Sequence, residues 1–497
     1  MVIVNTKKGK VKGVQESGYQ RFYGIPYAKP PIGNLRFIEP QATDPWDDIK
    51  DSSSFKSIPP QNYVDDPPIG QEESEDCLYL NIWTPQADGK KRPVMFWIHG
   101  GGFVIGAGSR ERLNGSRLAS YGDVVVVTFN YRLGSLGFLN LAHVTPNIGI
   151  LDQIAALKWV NDNIESFGGD PQNITIFGES AGGMSVGILL TISSAKGLFQ
   201  KAIIESGATN PISFEPLSAR KGSEKFIRRL GLKKTDIVNL QSVPLEKLIK
   251  VQNKIAGNVF DLASNPFRPF VDGKIMIEQP IEIIRKGNSA QVPIIIGYNS
   301  EELGMISDLL EDSGEVKRKL IMKVIKSQLE KSGISKQNLS KLIEIYQKEV
   351  KRKYTSKDFK YWDFILSDSM FRIPIIRQLE AHLENESNVY HYIFHYNSPK
   401  FGVAFHTFEI AFVFGTLGKD MVQGAVDNSK ESMDLSNLMM DTWVNFARTG
   451  NPNHKGIPEW KPYDLSNRTT MFLSDKPKIL DDPDDVLRKA WDEILKF

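Results

Sequence analysis

The residues of this chain best placed for covalent chemistry lie in Thr175-Ile-Phe-Gly-Glu-Ser-Ala-Gly-Gly183, where an apolar strand runs into Gly178-Glu179-Ser180-Ala181-Gly182 and Met184 to Thr191 read as a helix. A serine flanked by glycines two positions away on either side is the pattern of a sharp strand-to-helix turn that lifts its hydroxyl clear for nucleophilic attack. The glycines are a steric requirement. A strained serine backbone packs against its neighbours and leaves no space for side chains at the flanking positions. The following helix aims free N–H groups and its positive dipole end at charge developing near Ser180. The same five letters also form ordinary turns, so the reading depends on partners elsewhere in the chain.

Upstream, the apolar run Val94-Met-Phe-Trp-Ile-His99 enters Gly100-Gly-Gly-Phe103. Three glycines after a strand let backbone N–H groups face an anion unhindered, and such a triplet is the oxyanion counterpart of the elbow serine. A serine hydroxyl is a weak nucleophile on its own; it needs a base, and the base needs an orienting acid. Hydrolases built on this elbow carry the three in the order Ser, acid, His, which excludes His99 and His143 as the base. His391 and His395 share one face of the alternating strand Val389 to Tyr396, His382 sits at a charged helix end, and His454 lies in a polar turn. His406, in the small-residue loop Gly402 to Glu409, remains as the candidate base, although spacing alone does not select it. For the acid, the strand Pro293 to Gly297 delivers Tyr298-Asn-Ser-Glu-Glu302 at its C-terminal end, where α/β sheets keep functional loops. Ser300 followed by two acids also reads as a helix N-cap, and the two readings are compatible.

Bringing these groups together calls for a parallel sheet. Val124-Val-Val-Val-Thr-Phe-Asn130 is β-branched and nearly continuous, as expected for a central strand covered on both faces. Leu151 to Ser166 has helical spacing and ends at Gly168-Gly169, so strand, helix and elbow strand form a βαβ unit. Lys201 to Ser206 and Val292 to Gly297 supply further strands, and Glu315 to Lys353 and Lys357 to Leu383 are rich in helix and in lysine. Near the N-terminus, Lys10 to Gln15 alternates like a short strand, while Phe22 to Gly33, with three prolines and two glycines, reads mostly as surface loop. Ser54 to Glu73 is a long loop able to rim a pocket, and Glu75 to Trp83 returns to strand alternation. With no repeat or linker dividing it, the chain is expected to form one α/β domain over residues 1–497, with a helix-rich insertion at roughly 303–400.

Composition bounds the function. A hydrophobic content of 41% and a charged content of 24% are those of an ordinary soluble protein with material for a large core. The 61 basic residues nearly cancel the 59 acidic ones, and no basic stripe interleaves with aromatics, which excludes nucleic acid as the expected partner. No stretch reaches the roughly 18 apolar residues of a membrane span, and Met1 to Gly9 lacks a signal-peptide pattern. Cys77 is the sole cysteine, which rules out an internal disulfide and fits a reducing, cytoplasmic compartment. The serine chemistry calls for no cofactor and no metal, and a homo-oligomer is compatible with the sequence.

Several further stretches occur in one order: Phe22-Tyr-Gly-Ile-Pro-Tyr-Ala28 to Leu35-Arg-Phe37, Glu75-Asp-Cys-Leu-Tyr-Leu-Asn81, His99-Gly-Gly-Gly-Phe103, Asn130-Tyr-Arg132, Phe177 to Gly183, Glu205-Ser-Gly207 and Trp443-Val-Asn-Phe-Ala-Arg-Thr-Gly-Asn-Pro452. In these the chain resembles the type-B carboxylesterase and cholinesterase family of the α/β-hydrolase fold, from about residue 8 to about residue 465. The resemblance implies Ser180 as nucleophile, His406 as base, and the N–H groups of Gly101, Gly102 and Ala181 as oxyanion donors. The family's Asp-Glu-Gly acid motif corresponds to Glu301-Glu302-Leu303. This gives the acid role to Glu302 and leaves Glu301 as the alternative, since the glycine falls at Gly304. Thr407 stands where the family has a glycine after the histidine.

By the same resemblance, Glu179, Ser206 and Glu409 match a buried polar network supporting the histidine, and Arg36 and Glu75 match an internal salt bridge. The family's disulfide at Glu-Asp-Cys cannot form, and Pro67 stands where cholinesterases carry the tryptophan that stacks on choline. The implied protein is a general carboxylesterase of the bacterial or archaeal type, acting on small-molecule esters of short to medium acyl chains through an acyl-enzyme on Ser180. Its activity is expected to fall as His406 protonates, near or below about pH 6 to 7. The rivals are a non-catalytic adhesion protein on the same fold and a lipase with an apolar lid.

Overall fold

A computed structural model describes residues 1–61, 71–209, 216–233, 235–256, 265–331, 333–353, 359–386, 388–419 and 424–494. Pro67 lies outside the described residues. Among the described residues thirteen strands form one mixed sheet: β1 (Val2–Thr6), β2 (Gly9–Glu16), β3 (Tyr19–Pro26), β4 (Lys50–Asp51), β5 (Tyr79–Thr84), β6 (Arg92–Ile98), β7 (Val125–Phe129), β8 (Gly169–Glu179), β9 (Lys201–Glu205), β10 (Ile294–Asn299), β11 (Val389–Phe394), β12 (Thr469–Leu473) and β13 (Lys478–Asp481). Their spatial order is β1-β2-β3-β5-β7-β6-β8-β9-β10-β11-β12-β13, with β4 on β2. Neighbours are parallel from β7 through β12, and antiparallel pairs close both ends.

The apolar runs form the centre of this sheet because both faces are covered. In β6, Val94, Phe96 and Ile98 enter one core cluster, while Met95 and Trp97 enter the other. The helices Ile148–Asn163 and Ala181–Leu189 pack on the first side, and Lys430–Thr449 packs on the second through Met439, Trp443 and Phe446. The α/β-hydrolase fold is thus the observed architecture.

One loop expectation is corrected. Phe22 to Pro26 belongs to β3, with Phe22 and Ile25 fully buried, and only the chain beyond Pro26 turns away. An irregular register between Phe22 and Ile25 accommodates Gly24 within the strand. Arg36 and Glu75 do pair: Nε lies 2.6 Å from Oε1, the other guanidinium nitrogens reach Oε2 and the carbonyls of Gln241 and Val243, and the pair is nearly buried. Cys77 is a buried free thiol.

Between β10 and β11 come the helices Ile306–Glu311, Glu315–Lys331, Lys336–Lys353, Lys360–Ser367 and Ile373–Leu383. They share a core of their own around Leu342, Tyr346 and Trp362, closed by Trp491 of the Asp485–Ile494 helix. Among the described residues no helix is long and apolar enough to cross a membrane.

Candidate active site

Four adjacent parallel strands, β6, β8, β9 and β10, end on the same edge of the sheet, and the chain just beyond each end carries a piece of the site. At the end of β8, Ser180 has φ 57° and ψ −123°, a conformation that non-glycine residues rarely adopt. Its flanking glycines are forced: a Cβ on Gly178 would lie 2.6 Å, and one on Gly182 2.0 Å, from the carbonyl oxygen of Ile98 in β6. The Ser180 N–H donates to the carbonyl of Glu205 at 2.9 Å, and the Ser180 carbonyl accepts from Met184 N–H at 2.8 Å. Because a trans peptide points C=O and the next N–H in opposite directions, that second bond turns the Ala181 N–H away from the helix body, to the helix N-terminal side.

The glycine triplet is fixed by the same logic. The Gly100 carbonyl accepts from His99 Nδ1 at 2.9 Å, and the Gly101 carbonyl accepts from the N–H groups of Val104 and Ile105, both at 3.1 Å. The N–H groups of Gly101 and Gly102 therefore point the other way. Their φ values of 113° and 61° are open to glycine at no steric cost. His99 is buried and stacked on Tyr131, and burial holds it down to about 3, so its ring is a neutral brace for the loop. Gln61, from the long loop after β4, clamps the far side: its amide donates to Gly106 O at 2.9 Å and accepts from Gly106 N–H at 2.7 Å.

Beyond β10, Glu302 and Glu301 face different partners. Glu302 Oε2 lies 2.7 Å from His406 Nδ1, and Oε1 accepts from Asn299 N–H at 2.8 Å and Ser206 Oγ at 2.5 Å. The His406 N–H also donates to the Glu302 carbonyl at 3.1 Å. Glu301 instead forms a buried ion pair with Lys360 of the helical segment. Leu303, at the family's glycine position, packs on that segment's core, and its N–H donates to Ser367 Oγ at 3.0 Å. Thr407 sits at φ 78°, in the left-handed region where a glycine would be relaxed, so the family's glycine at this position has a backbone reason.

His406 is held from both sides. Its Nε2 is 3.0 Å from Glu179 Oε1, opposite the Nδ1 contact to Glu302, and its ring lies 4.6 Å from that of Phe371. Burial works against charging the ring, but the charges of Glu179 and Glu302 outweigh it and raise His406 to about 8. This is above the range of about pH 6 to 7 read from the sequence. Burial pushes Glu179 up as well, against the pull of His406.

Glu409 and Ser206 lie in the same buried cluster. Glu409 accepts from Asn299 Nδ2 and sits 3.4 Å from Ser206 Oγ, and burial, with the charges of Glu179, Glu205 and Glu302, holds its carboxyl well above the usual range. Two members were not singled out beforehand. Glu205 is fully buried, accepts from Trp443 Nε1 at 2.9 Å and is raised to about 8 by burial. Asn299 ties Glu409 to the Phe405 carbonyl, 2.6 Å from Nδ2. The Glu205-Ser-Gly207 motif carried a signal for the first; Asn299 had none.

The other histidines do not enter. His391 bonds the Ile296 carbonyl at 2.8 Å, His395 bonds Ser300 Oγ at 3.0 Å, His454 bonds Thr442 Oγ1 at 2.9 Å, and His382 is buried in the last turn of its helix. Among the described residues, no group of three or more His, Cys, Asp or Glu side chains is arranged to hold a metal.

Comparison with known proteins extends these observations. The model of the "Carboxylesterase family" matches residues 1–489, a longer span than the motifs alone mark. The para-nitrobenzyl esterase of Bacillus subtilis is 36% identical over 503 residues, covering 98% of both chains. Carboxylesterase 1E of Rattus norvegicus is 37% identical, covering 93% of this chain and 88% of its own. The crystal structure of Geobacillus stearothermophilus carboxylesterase EST55 superposes with a TM-score of 0.86 at 35% identity, covering 98% of this chain and 99% of that one.

Proposed function

The chain belongs to the carboxylesterase family, and on that premise we propose that Ser180, His406 and Glu302 are its catalytic triad and that Gly101, Gly102 and Ala181 are its oxyanion donors. It is a carboxylic ester hydrolase of the serine type. The observation that carries the residue assignment is His406 fixed at Nδ1 by a buried carboxylate in the loop beyond β10, with the strained Ser180 at the same edge of the sheet, at the end of β8 two strands away. Glu302 accepts the Nδ1–H and sets the tautomer, leaving Nε2 to accept a proton.

The reaction proceeds by acyl transfer. His406 Nε2 takes the Ser180 hydroxyl proton as Oγ attacks the ester carbonyl, and the carbonyl oxygen takes up negative charge facing the three N–H groups. Each donor is worth about 3 kcal/mol of barrier, by analogy with measured oxyanion donors. Collapse returns the proton to the leaving alcohol and leaves Ser180 acylated. Water, deprotonated by His406, then attacks the acyl carbonyl and releases the acid. The imidazolium formed in each half-reaction lies between Glu302 and Glu179, so the charge that raises its pKa also stabilises the proton-loaded state.

We read the chain as one α/β-hydrolase domain carrying the helical segment as an insertion, acting on esters of short to medium acyl chain. The lone Cys77 supports a cytoplasmic setting. The test is Ser180→Ala, expected to lower kcat on p-nitrophenyl butyrate by about 10⁴ to 10⁶ with an unchanged melting temperature and to abolish fluorophosphonate labelling. Wild-type turnover by that variant would overturn the assignment.

A further inference from the structure

The Glu315–Lys331 helix is apolar on two sides, and its own core uses only one. Ile325 and Leu329 are buried in the cluster of the helical segment, with Ile321 and Met322 packed against it. On the opposite side Val316, Leu320 and Val324 follow one another at four-residue spacing and are 85%, 63% and 51% exposed. At about 100° per residue this spacing forms a single outward spine. Met305 and Leu309, just before the helix, are exposed too.

The flanks of the spine are basic. Lys319 and Lys323 lie to one side and Lys317 to the other by helical position, all exposed. The helix contains six basic and two acidic residues, a net charge of +4 in one element of a chain whose total is +2. Lys319 spends part of its charge on Glu315, but both groups are about three-quarters exposed, so that pair is weak.

We propose that this face docks the protein on an anionic lipid surface, with Val316, Leu320 and Val324 entering the headgroup boundary and the lysines meeting the lipid charges. Charge complementarity selects this occupant. An aliphatic spine flanked by lysine stems that reach outward is suited to an interface with apolar and negatively charged layers. A second copy of this chain would set two strongly positive helices against each other.

The experiment is co-sedimentation of the full chain with vesicles of phosphatidylcholine, with and without phosphatidylglycerol. The wild type is expected to pellet with phosphatidylglycerol vesicles at low salt, to remain in solution with phosphatidylcholine alone, and to be released as salt rises. The doubles Val316→Asp/Leu320→Asp and Lys317→Glu/Lys323→Glu are each expected to weaken binding by ~10-fold or more while hydrolysing a soluble p-nitrophenyl ester at the wild-type rate. That rate separates loss of docking from loss of fold, and from failure of the triad assignment. The proposal is overturned if the wild type stays in solution with phosphatidylglycerol vesicles, if binding ignores lipid charge and salt, or if both doubles pellet like the wild type. A dimer in sedimentation velocity that the doubles convert to monomer would give the face to a second copy and overturn it as well.

Discussion

Two neighbouring regions handle buried acid groups in opposite ways, and the boundary falls between Glu301 and Glu302. In the helical segment and its rim, carboxylates meet cations: Glu301 and Asp363 share Lys360, and Asp368 pairs with Arg372. At the strand ends, Glu179, Glu205, Glu302 and Glu409 are all 2% exposed or less, and they meet hydrogen-bond donors and one histidine. Burial pushes the carboxyls of Asp363 and Asp368 up, and the fixed cations Lys360 and Arg372 pull the other way. A cluster closed by Asn299, Ser206, Trp443 and His406 can instead change its protonation, which acyl transfer requires of its base.

The sharpest way to break this comparison is to neutralise the two adjacent acids separately. Glu302→Gln is expected to lower kcat by about 10³ to 10⁴, because the amide cannot hold the required tautomer or stabilise the imidazolium. Glu301→Gln is expected to keep kcat within ~5-fold but to destabilise the fold by about 3 kcal/mol, since it leaves Lys360 short of a partner. Rates with p-nitrophenyl butyrate set beside thermal melts give both readouts. The assignment of the two roles would be reversed if Glu301→Gln proved the slow variant.

An intermediate effect is expected in the pH profile. With His406 as the proposed base, catalysis needs its neutral form; its pKa is raised from 6.5 to about 8, so kcat/KM should fall as pH drops through about 8. Burial opposes this rise and the charges of Glu179 and Glu302 cause it. Glu179→Gln removes one of those charges and should move the acidic limb to lower pH. An unmoved limb in a kcat/KM titration would show that Glu179 does not act on the base through its charge.

Sequence alone identified the strand-end region well because its requirements are steric and local. The glycines around Ser180 and the triplet after His99 exist because the backbone approaches closely there, and such demands leave letters in the chain. Central strands such as β6 and β7 were legible for a similar reason, burial on both faces. What was not legible depends on long-range pairing. Phe22 to Pro26 looked like a loop because its prolines and glycines outweighed an alternation that matters only once β5 lies alongside. Asn299 is one polar residue at a strand end until Glu302, Glu409 and Phe405 are folded around it. The different partners of Glu301 and Glu302 likewise depend on Lys360, 59 residues from Glu301.

The smallest effect expected on rate, and the most selective one, belongs to Glu205. Its backbone carbonyl holds the Ser180 N–H, while its side chain accepts only from Trp443 among the hydrogen bonds described. Burial raises the carboxyl from 4.5 to about 8, so the folded protein favours its protonated form. The sign follows from linkage: the stability this group contributes is complete below its unfolded value near 4.5 and is lost as pH rises through about 8. Glu205→Gln keeps an oxygen for Trp443 and cannot ionise. It should therefore melt with the wild type near pH 5 and melt higher near pH 9, by a few degrees at roughly 2–4 °C per kcal/mol, with turnover within ~2-fold. Parallel melting curves across that range would mean that Glu205 carries no extra proton in the fold, and the contrast between the strand-end cluster and the cation-paired helical segment would then rest on His406, Glu179 and Glu409.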